Sequence, residues 1–320
     1  MKRKIPIKQK QVDAIICSDL HLTEQTPVCR TDDYIQAQRH KLEFIKILQY
    51  KYQCPVLCAG DIFDHWKPSP WLISFALKYL PDELIAIPGQ HDLPQHNLDL
   101  IEKSGFNALI ESGRIEYLCN ENAICLNKSI GDIYLTPFGQ EIEEVCGTEI
   151  YTESGYKKLN NILMLHQLTW QKEPWPGAPP EGNARKLLKE NPDFDLIITG
   201  DNHQAFTEEY KGRLLVNPGS IMRSTAKQID FQPRVYLWNA ESNTVQIEYL
   251  PIQKDAVTRL HLDIKEERTN RLDSFIELIQ KIHPEMKGHS VSFEENIKQV
   301  LKSTKIAQNV KDKVLEAVGL

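Results

Sequence analysis

Apolar residues fall into two patterns along the chain. Residues 12–17 (VDAIIC), 55–59 (PVLCA) and 84–87 (LIAI) are short, nearly unbroken apolar runs, the mark of strands buried on both faces. Spans 33–50, 71–79 and 97–110 lie between or after them and predict helices; in the first, Leu42, Phe44, Ile45 and Leu48 run along one side. From residue 114 the runs shorten into strand-like pieces at 115–118, 123–126, 133–136, 162–165, 196–199, 214–216, 235–238 and 245–250. Strands alternating with helices, then a series of shorter strands, predict an α/β fold, a layered sandwich with two sheets.

A boundary is expected near Pro251. Beyond it the chain turns charged and lysine-rich, with a strand-like run at 259–264 and helical runs at 271–282, 293–301 and 307–318. The expected division is a main domain at 1–255 and a small αβ appendage at 256–320. Residues 170–182 hold six prolines or glycines beside two tryptophans and read as a structured surface loop.

Composition narrows the picture. The 320 residues are 41% apolar and 26% charged, ordinary for a soluble globular chain. No stretch approaches the roughly 18 apolar residues of a membrane helix, so no membrane association is expected. The seven cysteines form no CxxC pair, which fits a reducing compartment. The start MKRKIP, interrupted soon after by Lys8 and Lys10, does not read as a secretory signal, so a cytoplasmic location is expected. A net charge of -6 argues against gripping nucleic acid by overall charge, so such binding needs local basic patches or bound cations. Two basic stretches exist, Lys2, Arg3, Lys4, Lys8 and Lys10, then Arg185, Lys186 and Lys189; each is either a phosphate contact or solvated surface.

Five polar motifs follow apolar runs: Ser18-Asp19-Leu20-His21, Gly60-Asp61-Ile62-Phe63-Asp64, Gly89-Gln90-His91-Asp92, His166-Gln167 and Gly200-Asp201-Asn202-His203. Strand ends in a layered α/β fold converge on one edge, so these segments can meet in space. Together they offer the carboxylates of Asp19, Asp61 and Asp201, the imidazoles of His21, His166 and His203, and the Gln90 amide oxygen. Such mixed ligands suit Mn, Fe or Zn, and carboxylate-rich sets also accept Mg. Three carboxylates packed together repel unless cations lie among them. Asp64 and Asp92 are candidate supports for the site, or helix caps.

The order and spacing of these motifs, over roughly residues 12 to 220, resembles the calcineurin-like metallophosphoesterase superfamily. Its pattern runs D-x-H, G-D-x-x-D, G-N-H-[DE], H, then G-H-x-H. The resemblance implies a four-layer α-β-β-α sandwich with two divalent ions. Asp19, His21, Asp61 and His203 would hold one, with Asp61 bridging to a second completed by Gln90, His166 and Asp201. His91 would donate a proton to the leaving oxygen or stabilise the transition state. The chain departs twice: Gln90 stands for the family's Asn, and Asp201 for the first His of the last motif. Harder oxygen ligands tilt the expected metal toward Mn, with Mg possible.

Gly60-Asp61-Ile62-Phe63-Asp64, with Asn217-Pro218-Gly219-Ser220 and Arg223, looks like the SbcD-type DNA double-strand-break repair nucleases, including the recombination nuclease subunits of phages. That resemblance implies exonuclease and single-strand endonuclease action on DNA. It further implies residues 256–320 as a capping domain, a homodimer formed through helices near 70–80 and 97–111, and an SMC-like ABC ATPase partner of the SbcC type gripping residues 293–318. The enzymatic alternative is a small-molecule phosphodiesterase or nucleotide hydrolase on the same scaffold. The non-enzymatic one is a degenerate scaffold subunit, given Gln90 and Asp201.

Overall fold

The buried runs build two six-stranded sheets in the computed structural model, which describes residues 11–117, 124–127, 131–142, 149–152, 155–172, 174, 176–260, 262, 271, 297–298, 300–302 and 308–317. In the first sheet β1 (Ala14–Cys17), β2 (Val56–Cys58), β3 (Leu84–Ala86) and β4 (Ile115–Glu116) run parallel. The second sheet contains β5 (Ile124–Asn127), β6 (Gly131–Thr136), β9 (Asn160–Leu165), β10 (Leu196–Thr199), β11 (Phe206–Tyr210) and β12 (Arg213–Asn217). Its strands β6, β9, β10 and β12 are parallel, and β5 and β11 are antiparallel edges. The first sheet is completed by the antiparallel strands β13 (Arg234–Asn239) and β14 (Thr244–Tyr249). A separate hairpin pairs β7 (Glu149–Thr152) with β8 (Gly155–Lys158).

Three apolar layers hold these sheets. Alternate residues of β1 to β3 point to opposite faces. Ile15, Val56 and Leu84 pack under the helices α1 (Tyr34–Tyr52), α2 (Pro70–Tyr79) and α3 (Gly105–Glu111). Ile16, Leu57 and Ile85 face the other way, onto Ile162, Met164 and Ile198 of the second sheet. Leu163, Ile197 and Leu215 pack outward against Leu187 and Leu188 of α4 (Ala184–Glu190). This gives the α-β-β-α order. Each helix start is satisfied by a side chain: Asp33, Ser69, Ser104 and Asn183 accept the otherwise orphaned N–H of Gln36, Leu72, Asn107 and Lys186.

The structure departs from the sequence pattern in several places. The helix expected over 97–110 is a 3-10 helix, Leu98–Lys103, followed by α3, because Ser104 caps a new helix and Gly105 lies against Pro68. Short α4, the polar edge strand β11 and the β7–β8 hairpin had no apolar run to announce them. No strand occupies 259–264 among the described residues, since Leu260 and Leu262 are helical. The expected helix over 271–282, except Arg271, and the first basic stretch lie outside the described residues.

The chain divides into two compact units, Met1–Arg259 and Leu260–Leu320. In the second, Ile297, Val300 and Leu301 are buried, and Gln308–Ala317 forms a helix. Among the described residues no helix is long and apolar enough to cross a membrane. Cys17, Cys29, Cys54 and Cys58 are buried free thiols.

Candidate metal centre

The motif loops leave the ends of β1, β2, β3, β9 and β10 and are laced together through their backbones. The amides of Asp19, His21 and Leu22 donate to the carbonyls of Gly60, Asp61 and Ile62 at 2.9–3.0 Å. Asp19, His21, Asp61 and Asp201 all have positive φ, between 44° and 74°. That conformation costs a non-glycine residue about 1–3 kcal/mol. Strain gathered at four motif positions turns their side chains toward one point. The glycines are required by close approach. A Cβ on Gly89 would lie 2.1 Å from Asp61 Oδ1, and one on Gly60 or Gly200 would lie 2.2 or 2.7 Å from His166 Nδ1.

Among the described residues the side chains converge in three overlapping clusters: Asp19 with His21 and His203, Asp19 with Asp61 and His166, and, at the outer edge, His21 with Asp64 and His91. His21 Nε2 and His203 Nε2 face each other at 3.0 Å, and Asp19 Oδ1 lies 3.8 and 3.9 Å from them. Asp61 Oδ2 is buried without a hydrogen bond among the described residues; His21 Nε2 and His166 Nε2 approach it only to 3.6 and 3.5 Å. A buried, unbonded carboxylate oxygen among converging imidazole nitrogens is costly in a protein alone and suits a divalent cation.

Gln90 and Asp201 close the far side. The Gln90 Nε2 amide donates to Asp201 Oδ1 at 2.6 Å, which orients its Oε1 toward His166 Nε2 at 2.7 Å. His166 Nδ1 donates to the Ala59 carbonyl at 2.6 Å, so Nε2 is its ligand atom. Asp201 is anchored in turn by its backbone N–H, which donates to Asp19 Oδ1 at 3.0 Å.

The three remaining predicted residues divide their work. The His91 N–H donates to Asp61 Oδ1 at 2.9 Å, and its Nδ1 faces the Asp64 carbonyl at 3.0 Å. A carbonyl only accepts, so Nδ1 carries hydrogen and Nε2 is left for chemistry. The Asp64 carboxylate lies 3.3 Å from His21 Nδ1. Asp92 hydrogen-bonds to backbone groups. Its oxygens accept the N–H groups of Ile62, Phe63 and Gly89 at 2.9–3.1 Å, tying the second motif loop to the third.

A second tier of supports had no role assigned from the sequence. Asn217 donates to the carbonyls of Asn202 and Gln204 at 2.7 and 2.8 Å, clamping the loop that carries His203. Gly219 has φ +72°, and a Cβ there would strike the His203 carbonyl. Ile221 N–H donates to the Asp19 carbonyl at 3.4 Å. The Asn217-Pro218-Gly219-Ser220 motif therefore braces the site. His96 Nδ1 similarly holds the Gln90 carbonyl at 2.9 Å. The Asn217 motif was visible in the sequence as part of a resemblance, without a bracing role, and His96 only through its nearness to the third motif.

Electrostatics follows from burial and charge. Burial opposes ionisation of Asp61, but the imidazoles of His166, His21 and His91 hold its carboxyl well below the usual range. Burial would lower His166, yet Asp61, Asp19 and the Ala59 carbonyl raise it to about 10. His203 is lowered by burial. Burial, then the charge of Asp61, raises Asp92 to about 7 against its three N–H donors.

One prediction follows for His166. Its folded value of about 10 exceeds the ordinary 6.5, so protonation stabilises the metal-free fold fully below 6.5. That contribution fades as pH rises through about 10. Cation capture has the opposite sign, because Nε2 must first lose its proton. Calorimetry at neutral pH in buffers of differing ionisation enthalpy is expected to find about one proton released from this site, a release absent in His166→Gln.

Residues 13–205 match the calcineurin-like phosphoesterase family. No curated protein matches the sequence significantly. Similar solved structures include the protein TT1561 of Thermus thermophilus (12% identity, 75% of this chain and 100% of that one, TM-score 0.43). An archaeal phosphodiesterase aligns at 14% identity over 74% of this chain and 99% of its own, with TM-score 0.36. Vacuolar Protein Sorting 29 from Cryptosporidium parvum aligns at 16% identity over 75% and 99%, with TM-score 0.32. Scores this low leave these likenesses without functional weight. The family match spans the four loops from Asp19 to His203 and the His166 strand end between them, and on that match the chain belongs to the calcineurin-like phosphoesterases.

Proposed function

We propose that this phosphoesterase is a metal-dependent DNA nuclease, with exonuclease and single-strand endonuclease action in repair or recombination. The observation that carries the hydrolytic part is the unbonded, buried Asp61 oxygen, which faces His21 Nε2 of one cluster and His166 Nε2 of another. Asp19, His21, Asp61 and His203 would hold one divalent cation, and Asp61, Gln90, His166 and Asp201 a second. The oxygen-rich second set favours Mn, then Mg. Bound there, such cations supply Lewis acidity to phosphoryl oxygens and acidify water.

The chain's own residues do the rest. Asp64 and the backbone contacts to Asp61 fix the His91 ring, leaving Nε2 to pass a proton to the leaving oxygen. Asp92 holds the two loops in register. Support for a polyanionic substrate comes from α4 and the β11–β12 turn. Arg185, Lys189, Lys211 and Arg213 surround the Tyr210 ring at 5.5–5.6 Å. This is a local basic patch with an aromatic at its centre, the combination that tracks a nucleic-acid backbone. It offsets the net charge of -6 where it matters.

The wider assembly belongs to the same proposal. A homodimer would use α2 and the helices from Leu98 to Glu111, where Trp71 is half exposed. Residues 256–320 would cap the site, and 293–318 would meet an SMC-like ABC ATPase of the SbcC type.

Three outcomes test this reading. Purified chain with Mn is expected to degrade linear DNA and nick circular single strands faster than it hydrolyses cyclic nucleotides or a chromogenic phosphodiester. Dominant small-molecule turnover would replace the nuclease with the alternative. Replacing His91 with Ala should lower the rate by about 10²–10⁴-fold while metal content by elemental analysis stays intact, whereas Asp61→Ala loses both. Removing Lys189 and Lys211 together should weaken DNA binding across all sequences and shrink the salt dependence of affinity by about 2 charges' worth.

A further inference from the structure

Away from the metal centre, a cavity of about 300 Å³ opens between the loop before α1, the first turns of α1 and the strap after β14. Three cationic side chains line it, Arg30, Lys41 and Arg223, and all three are more than nine-tenths buried. Among the described residues lining it, one buried carboxylate answers them. Asp32 is locked in a two-bond pair with Arg30, at 2.8 and 2.6 Å. Asp33 also lines the cavity, but it is exposed and spends its oxygen capping α1.

The other two cations have donors to spare. Among the described residues Lys41 Nζ makes a single hydrogen bond, to the Pro251 carbonyl at 3.1 Å. Arg223 donates to the carbonyls of Ile229 and Gln253, and its buried Nε–H has no acceptor among the described residues. Arg30 uses its last nitrogen on the Arg223 carbonyl. Burying like charges with unused donors destabilises a fold unless an anion joins them. Burial, then the charges of Arg30 and Arg223, lowers Lys41 to about 8, the sign of an uncompensated cation. Gln36 and His40 add neutral polar groups at the same wall.

We propose that this cavity is a second anion site, which takes the phosphate group of a small phosphorylated molecule independently of the metal centre. A tetrahedral anion offers acceptors on several sides at once, matching donors that come from Lys41 and Arg223. The volume is that of a small-ligand site and exceeds what a lone phosphate needs. Free phosphate and a phosphate monoester share this chemistry, and the test separates them.

The test uses the full chain stripped of metal with chelator, so that the metal centre cannot hold phosphate. Inorganic phosphate and a nucleoside monophosphate are titrated by calorimetry, with chloride as control. Both are expected to bind, and a tighter nucleoside monophosphate would identify a phosphate ester as the natural ligand. Lys41→Met keeps the stem and removes the charge, so it should fold and bind about tenfold weaker or worse. His203→Ala should bind phosphate like the parent. A crystal soaked in tungstate should show density beside Lys41 and Arg223. Absent binding of both anions, unchanged binding in Lys41→Met, or a soaked cavity without density would each overturn the proposal.

Discussion

A buried carboxylate oxygen without a hydrogen-bond partner is expensive, and the first unit is arranged to keep one at Asp61. Oδ1 of that residue is satisfied by the His91 backbone, while Oδ2 faces two imidazole nitrogens beyond bonding distance. Nothing local would hold this arrangement. It persists because β1, β2 and β3 are parallel, fully buried strands whose ends cannot shift without opening both apolar layers. The cost at Asp61, and the strain at Asp19, His21 and Asp201, is met by packing elsewhere. What the site gains is preorganisation: ligand atoms are fixed before a cation arrives.

The parts legible in sequence were those in which burial and chemistry coincide. Unbroken apolar runs announced β1, β2, β3, β9 and β10, because strands covered on both faces leave no polar alternation. The motifs at their ends were legible for the same reason, as polar residues placed abruptly after a buried strand. Polar edge strands such as β11, with Glu208 and Glu209 in it, carry no such contrast. The run at 259–264 misled because apolar alternation over so few residues also fits a short helix, which Leu260 and Leu262 adopt. For supports acting through backbone groups, the role was not legible even where the residue was singled out. Asn217 and His96 bind carbonyls, and Asp92 binds amides, so their partners have no side-chain signature to find.

Two anion-attracting devices then share one unit but work by different physics. The metal centre is an acidic cluster, attractive to phosphate only through the cations it would hold. The cavity at Lys41 is cationic by itself and needs no metal. Its cations come from a loop, a helix and the segment after β12, so it forms only once those elements have docked. The Tyr210 patch is a third kind, exposed and therefore screened by salt. A chain with net charge -6 can thus present positive potential at chosen points without becoming basic overall.

The two departures from the family pattern explain each other. Gln90 reaches one methylene farther than asparagine, and Asp201 is shorter than histidine. Together they bring an amide nitrogen within 2.6 Å of a carboxylate oxygen, and this contact turns the amide oxygen toward His166. A histidine at 201 could accept through only one ring nitrogen, leaving the longer amide less firmly oriented. The carboxylate fixes the amide and still has a second oxygen to offer. The pair therefore acts as one hydrogen-bonded unit, in which the side chain at 201 sets the direction of the amide oxygen at 90.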